Sequence, residues 1–297
     1  MQELQRMNHS PEGYTPAPQV LNQLPSLRFA LEMAQLDLDR GGHQQLFPSA
    51  FASGQDGIPI NGLVWMGTAE EMARQAQEKI NAGFSCIKLK IGSLDFREEL
   101  QLIRTLRESH PEIELRVDAN GGLTRWYDKE KLQVDTRYAE ECMEHLARFK
   151  VHSVEQPVFA SAETYAQLCA KNILPIALDE QLIGIMGTEA KRNLLDAIRP
   201  QFIVLKPTLL GGFEACNEWI ELARKSSTGW WITSALESNV GLNAIAQWTA
   251  TLNNPMPQGL GTGSLFTNNI TSPMYIREDK LWYNPKQAMR FDGIFEP

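Results

Sequence analysis

From Pro25 onward, two rhythms of apolar residues alternate along the chain. Stretches with apolar positions three and four apart predict helices that bury one face, and the short, nearly continuous apolar runs between them predict strands covered on both sides. PSLRFALEMAQLDLDRGG sets Leu27, Ala30, Leu31, Ala34 and Leu36 on one side of a first helix. The strand IPINGLVWMG and the helix TAEEMARQAQEKINAG follow, with Thr68 and Glu71 at capping-box spacing and Gly83 as the stop. The alternation then runs through CIKLKIG, LDFREELQLIRTLRESH, ELRVDANG, TRYAEECMEHLARFK, HSVEQPV, ETYAQLCAKN, PIALDEQ and GTEAKRNLLDAI. FIVLKPTLLGG, FEACNEWIELARKSS, WWITSALESN, VGLNAIAQWTATL and an eighth strand, QGLGTGSLF, complete it. Eight strands, each separated from the next by a helix, predict an α/β fold with a parallel barrel inside and helices outside. A doubly wound open sheet fits less well, because no GxGxxG turn follows the first strand.

Barrel chemistry sits at the carboxyl ends of the strands. The polar residues there are Lys88 and Lys90, Asp118 and Asn120, Glu155, Asp179 and Glu180, Lys206, and Ser234 and Glu237, in strand order from the second to the seventh. Lys88 and Lys90 lie two apart and share a face, and crowding two ammonium groups in an apolar strand is expected to push at least one toward the neutral, basic form. Taken singly, an Asp after a strand reads as a turn or cap residue. Taken together, Asp118, Glu155 and Asp179 on three consecutive strands call for a cation. With oxygen donors only and no histidine nearby, that cation should be hard: Mg²⁺ fits, and Mn²⁺ or Ca²⁺ is compatible. Lys90 and Lys206, flanking the carboxylates, could reach opposite faces of one carbon and remove a proton beside a carboxylate, whose developing charge a divalent cation stabilises. Lys206 could also pair with Asp179. Lys88 suits a spacer that orients Lys90 and hydrogen-bonds substrate oxygens.

Charge and composition narrow the partners. A net charge of -8 argues against nucleic acid and anionic membranes. No apolar run approaches the roughly 20 residues that span a bilayer, and the first residues lack a signal-peptide core, so a cytoplasmic enzyme acting on a small molecule is expected. A homo-oligomer is compatible with such a barrel. Cys86, Cys142, Cys169 and Cys216 stand singly within apolar or helical patterns and read as reduced core residues.

KLK at 88–90, RVDAN at 116–120, VEQPV around Glu155, LDE at Asp179, VLKP at Lys206 and TSALESNVG together resemble the enolase superfamily. Within it they are most similar to the muconate-lactonizing subgroup and its o-succinylbenzoate synthases, from Leu27 onward. The resemblance implies a modified (β/α)7β barrel, Mg²⁺ on Asp118, Glu155 and Asp179, and Lys90 and Lys206 as the catalytic pair. It further implies a syn dehydration of 2-succinyl-6-hydroxy-2,4-cyclohexadiene-1-carboxylate to o-succinylbenzoate, a step of menaquinone biosynthesis. Lys90 would act as base and then acid, and Lys206 as a lasting cation. Racemisation of N-acylamino acids is the alternative within the subgroup. GLGTGSLF lacks the acidic DxD of dipeptide epimerases; the backbone of Gly261, Thr262 and Gly263 suits an anionic arm, and Ser234 and Asn120 could add hydrogen bonds. The family's N-terminal α+β capping domain is expected to be largely missing: residues 1–25 as its remnant or a linker, 26–270 as the barrel, and 271–297 as the segment that would complete the cap. Apolar surface near Trp282 and Tyr283 should then be exposed. Two readings of other classes stay open: an aldolase forming a Schiff base at the sixth-strand lysine, and a barrel that binds a metal without turnover.

Overall fold

The computed structural model describes residues 2–9, 16–125, 127–128 and 133–291. Within the expected cap remnant, residues 1 and 10–15 lie outside the described residues, as do 292–297 of the expected cap-completing segment. Seven parallel strands form one curled sheet: β1 Gly62–Val64, β2 Cys86–Lys90, β3 Glu114–Asp118, β4 Ser153–Glu155, β5 Ile176–Leu178, β6 Phe202–Leu205 and β7 Gly229–Ile232. They neighbour one another in chain order, as expected when each strand is joined to the next by a short helical connection. The eighth strand expected from QGLGTGSLF is cut to a two-residue stave. Gln258 bridges in parallel to Ile60, just before β1, and Gly259 bridges to Thr233, just after β7. Backbone bonds on both edges close the ring: Asn61 N–H to Gln258 O at 3.0 Å, Gln258 N–H to Pro59 O at 2.8 Å, and Gly259 N–H to Ile232 O at 2.8 Å.

The helices form where their ends are satisfied. Thr68 and Glu71 make the reciprocal capping box that opens Ala69–Asn81. The Asp95 side chain caps Phe96–Ser109 through Arg97 N–H, and the Ser161 hydroxyl caps Ala162–Lys171 through Thr164 N–H. Inside the wall, Asn239–Thr251 is buried almost all round; Asn243 and Gln247 donate to Gln44 O at 3.0 and 2.8 Å, so these two amides are paired, whereas the buried Thr249 Oγ1 has no hydrogen-bond partner among the described residues. All four cysteines are buried free thiols, and burial raises their pKa values, to about 11 at Cys142 and about 12 at Cys169.

The predicted strand IPINGLVWMG divides. Ile58–Pro59 leaves the barrel and pairs antiparallel with Lys280–Tyr283, which in turn pairs with Met274–Arg277. Pro59 has no N–H to donate, which confines this piece to the edge of the small three-stranded sheet. The hairpin therefore finds its third strand inside the chain, and the exposed apolar surface expected near Trp282 and Tyr283 falls on the facing strand, at Tyr275, which pairs with Trp282, and Ile276, but not on Tyr283 itself. Tyr283 is buried, edge-on to Phe51 with ring centroids 5.7 Å apart. The Arg277 guanidinium lies 4.1 Å from the half-covered Trp282 ring. Further exposed apolar side chains gather at the strand-end rim, at Trp65, Met66, Phe159, Leu236 and Phe266.

Candidate active site

Register builds the centre of the site. Parallel pairing sets Lys90 beside Asp118 and Asp118 beside Glu155, so one row of inward side chains crosses β2, β3 and β4. Asp179 follows β5 by one residue and Lys206 follows β6 by one residue. Pro207 holds Lys206 in an extended conformation and opens the short helix Pro207–Leu210, so the lysine sits where strand turns into helix. The Lys88 ammonium donates to Glu155 Oε2 at 2.6 Å and lies 3.0 Å from Asp118 Oδ2. Lys90 donates to Asp118 Oδ2 at 2.7 Å and Asn120 Oδ1 at 2.6 Å, and Lys206 pairs with Asp179. Asn120 takes a left-handed backbone, φ 42°, which asparagine tolerates. Its side chain donates to Glu180 at 3.0 Å, linking Lys90 to the loop after β5.

These pairs decide the charge states. Burial disfavours the Lys88 cation, but Asp118 and Glu155 outweigh it and hold the pKa above the usual lysine range. Crowding by Lys90 therefore does not discharge Lys88; the expectation of a neutral amine is corrected at this residue by two carboxylates from the next strands. Lys206 is shifted the same way: burial opposes its charge, and Asp179 and Glu155 prevail. Burial would raise Asp118, yet Lys88 and Lys90 keep its carboxyl well below the ordinary range. Glu155 is pushed well above it, by burial first and then by the charge of Asp118.

As the side chains stand, no three carboxylate, histidine or cysteine groups among the described residues are grouped to hold an ion, because Asp118, Glu155 and Asp179 each face an ammonium group. The donors nonetheless fit a hard divalent cation. All three are carboxylates on adjoining staves, lysine charge already compensates them, and the buried Glu155 Oε1 has no hydrogen-bond partner among the described residues.

A cavity of about 220 Å³ opens over this row, and Lys88, Lys90, Asp118, Glu155 and Lys206 all line it. Ser234 and Gly261 line it too, whereas Asp179 and Asn120 lie behind the wall, joined to it through Lys206 and Lys90. Gly263 faces a neighbouring cavity of about 310 Å³ with Asn239, Leu242 and Met274. A roomier hollow of about 560 Å³, with Phe51, Asp56 and Lys280 in its wall, holds none of the strand-end groups, so chemistry rather than size selects the site. Sequence reasoning missed Asn61, Leu63 and Trp65, which all face the cavity. Their spacing of two was the available signal. Trp65 also places its ring 5.8 Å from the Lys90 ammonium.

Residues 71–281 match the family model of enolase C-terminal domain-like proteins. The chain belongs to that family. Among curated enolase-type relatives, the o-succinylbenzoate synthase of Desulfotalea psychrophila is 50% identical over 257 residues, covering 86% of this chain and 67% of that protein. The crystal structure of MenC from Desulfotalea psychrophila LSv54 superposes with a TM-score of 0.77 at 49% identity, over 87% of this chain and 69% of that one. A dipeptide epimerase from Enterococcus faecalis, at 21% identity and a TM-score of 0.72 over 88% of this chain and 72% of that one, shares the fold. The resemblance carried by the motifs is thereby confirmed, and with it the modified barrel of the enolase superfamily. Among the described residues, no helix is long and apolar enough to cross a membrane.

Proposed function

We propose that the chain is a hydro-lyase that dehydrates 2-succinyl-6-hydroxy-2,4-cyclohexadiene-1-carboxylate to o-succinylbenzoate. The observation that carries this reading is the position of Lys90 and Lys206 in one cavity wall, on the staves that flank Asp118, Glu155 and Asp179. The 50% identity to a curated o-succinylbenzoate synthase supports the same substrate.

Asp118, Glu155 and Asp179 would hold Mg²⁺, with Mn²⁺ as a substitute; the bound ion supplies positive charge beside the substrate carboxylate as the adjacent proton leaves. Lys90 Nζ takes that proton, and Asn120 and Asp118 orient the amine toward the cavity. The same Nζ then returns the proton to the departing hydroxyl, so that the C–H and C–O bonds break on one face, water leaves and the ring becomes aromatic. Lys206 stays protonated through its pairing with Asp179 and stabilises the anionic charge from the other flank. A Schiff-base role for Lys206 is disfavoured by the three adjoining carboxylates, because an imine mechanism has no need of the metal they would hold.

Spectrophotometric assay of o-succinylbenzoate formation, with Mg²⁺ and after chelation, tests the proposal. Activity should require the metal and fall by about 10²–10⁴-fold in Lys90→Ala. Normal turnover in Lys90→Ala would exclude the mechanism. Racemisation of an N-acylamino acid with no dehydration would favour the second reading, for which one lysine on each flank is also the needed arrangement.

A further inference from the structure

We infer that Glu180 is a positioning residue for the Lys90 amine, acting through Asn120; this rests on the lysine-pair reading proposed above. Chain order supplies the first argument. Glu180 directly follows Asp179 at the end of β5 and opens the short turn Glu180–Leu182. Asp179 accepts from Lys206, and Glu180 Oε1 accepts from Asn120 Nδ2 at 3.0 Å, while Asn120 Oδ1 accepts from Lys90 at 2.6 Å. Two consecutive residues therefore anchor the two lysines of the cavity wall, one directly and one through a carboxamide.

The second argument is the direction of these bonds. A carboxamide has a donating and an accepting end of nearly the same shape, and its partners decide which end faces where. An ammonium group only donates and a carboxylate only accepts, so Lys90 requires Asn120 Oδ1 and Glu180 requires Asn120 Nδ2. The backbone around Asn120 is already pinned, because its N–H donates to Asp118 Oδ1 at 3.1 Å and Gly121 N–H donates to Gln156 O at 2.6 Å. The carboxamide keeps its own torsional freedom, and Glu180 is the group that removes it. Without that acceptor the carboxamide can turn and present its NH₂ to Lys90, which cannot accept a hydrogen bond.

The third argument removes the rivals. Asp118 Oδ2 also accepts from Lys90, at 2.7 Å, but it lies 3.0 Å from the Lys88 ammonium, so it is shared and cannot direct Lys90 alone. Asn120 was expected to hydrogen-bond a substrate, yet its Oδ1 is spent on Lys90. Neither Asn120 nor Glu180 lines the cavity, so any effect of Glu180 on a bound substrate must pass through the lysine.

The test is a double-substitution cycle on the full chain in Mg²⁺. Glu180→Leu and Glu180→Ala remove the acceptor with and without keeping its bulk, and thermal melts show which of them folds. Either should lower kcat about ten- to hundred-fold, the cost of a misplaced amine, and leave KM near that of the parent. Glu180→Gln, whose carbonyl still accepts from Asn120, should keep kcat near the parent value. In an Asn120→Ala chain, Glu180→Leu should cost nothing more, because the relay is already cut. Acetic anhydride labelling, located by mass spectrometry, should speed up about tenfold at Lys90 in Glu180→Leu, for the loss of one restraining hydrogen bond, and stay unchanged at Lys206. An unchanged kcat in Glu180→Leu and Glu180→Ala, losses that add in the double variant, a rise in KM alone, equal labelling changes at both lysines, or failure of both variants to fold would overturn the positioning role. Labelling that rises at Lys90 alone in a chain that dehydrates nothing would uphold the role and overturn only the proposed reaction.

Discussion

The Lys88 ammonium reaches past its neighbouring strand to donate to Glu155 at 2.6 Å, and on the way it passes within 3.0 Å of Asp118. One lysine thus binds two of the three candidate metal ligands. Lys88→Met removes the ammonium partner of buried Glu155 and leaves Asp118 with Lys90 alone, and removing one partner of such a buried group costs about 3–5 kcal/mol. Urea denaturation in chelator should show that loss. Added Mg²⁺ should then shift the midpoint further in Lys88→Met than in the parent, because the freed carboxylates gain a dication that folds with them. Equal Mg²⁺ shifts would argue that Lys88 and the metal do not share ligands.

Glu237 binds the loop after β7 to the helix after β6. Its carboxylate accepts from the hydroxyls of Thr208 and Ser234 and from Ala235 N–H. Thr208 lies two residues beyond Lys206, so this clamp fixes the wall that carries the lysine. In Glu237→Gln one acceptor oxygen becomes a donor and the charge is lost. Stability should drop by about 1–3 kcal/mol, and displacement of Lys206 should lower kcat about ten- to hundred-fold. Thermal melts and steady-state kinetics measure the two separately, and an unchanged kcat would confine Glu237 to a structural role.

What the sequence disclosed and what it withheld divide along sequence distance. The Thr68–Glu71 capping box and the period-two lysines of β2 are local signals, and both occur in the structure where the pattern put them. The charge of Lys88 depends on Glu155, 67 residues away, and no local pattern contains that contact. Pairing of Ile58 with Leu281 is equally remote, which is why IPINGLVWMG read as one strand and proved to be two. Asn61, Leu63 and Trp65 share one face of the predicted strand, but which face of a strand looks into the barrel is set by its neighbours, not by its own residues. The closing stave was read as a full strand because its glycines gave no sign that only two residues pair.

Gly259 shows why that stave tolerates no side chain. A Cβ there would lie 2.1 Å from Thr233 Oγ1 and 2.7 Å from Thr233 Cβ, the residue to which Gly259 is bridged. Gly259→Ala must push the stave off β7 at the seam where the ring closes. The expected cost is about 1–3 kcal/mol, that of overpacking. Double substitution with Thr233→Gly should recover part of it, since the clash is with that side chain. A Gly259→Ala chain as stable as the parent would mean that the ring does not close tightly at this point.

Glu99 ties the loop that follows Lys90 to the helix Phe96–Ser109. Its Oε1 accepts from Gly92, Ser93 and Leu94 N–H at 2.7, 3.1 and 3.1 Å. Burial raises its pKa above the ordinary 4.5 and outweighs the three bonds, each of which lowers it. The folded state therefore retains the proton to higher pH than the unfolded chain does. The resulting contribution to stability is complete below the unfolded value and is lost as pH rises through the folded one. Glu99→Gln keeps an acceptor and removes the titration, so its stability should fall less than the parent's between pH 4.5 and neutrality. Glu99→Ala leaves the backbone donors unpaired and should cost about 3 kcal/mol near pH 4.5, and less toward neutrality as the parent itself loses stability. Denaturation midpoints across that pH range decide it: parallel curves for the parent and Glu99→Gln would show that the carboxyl keeps the same pKa in both states.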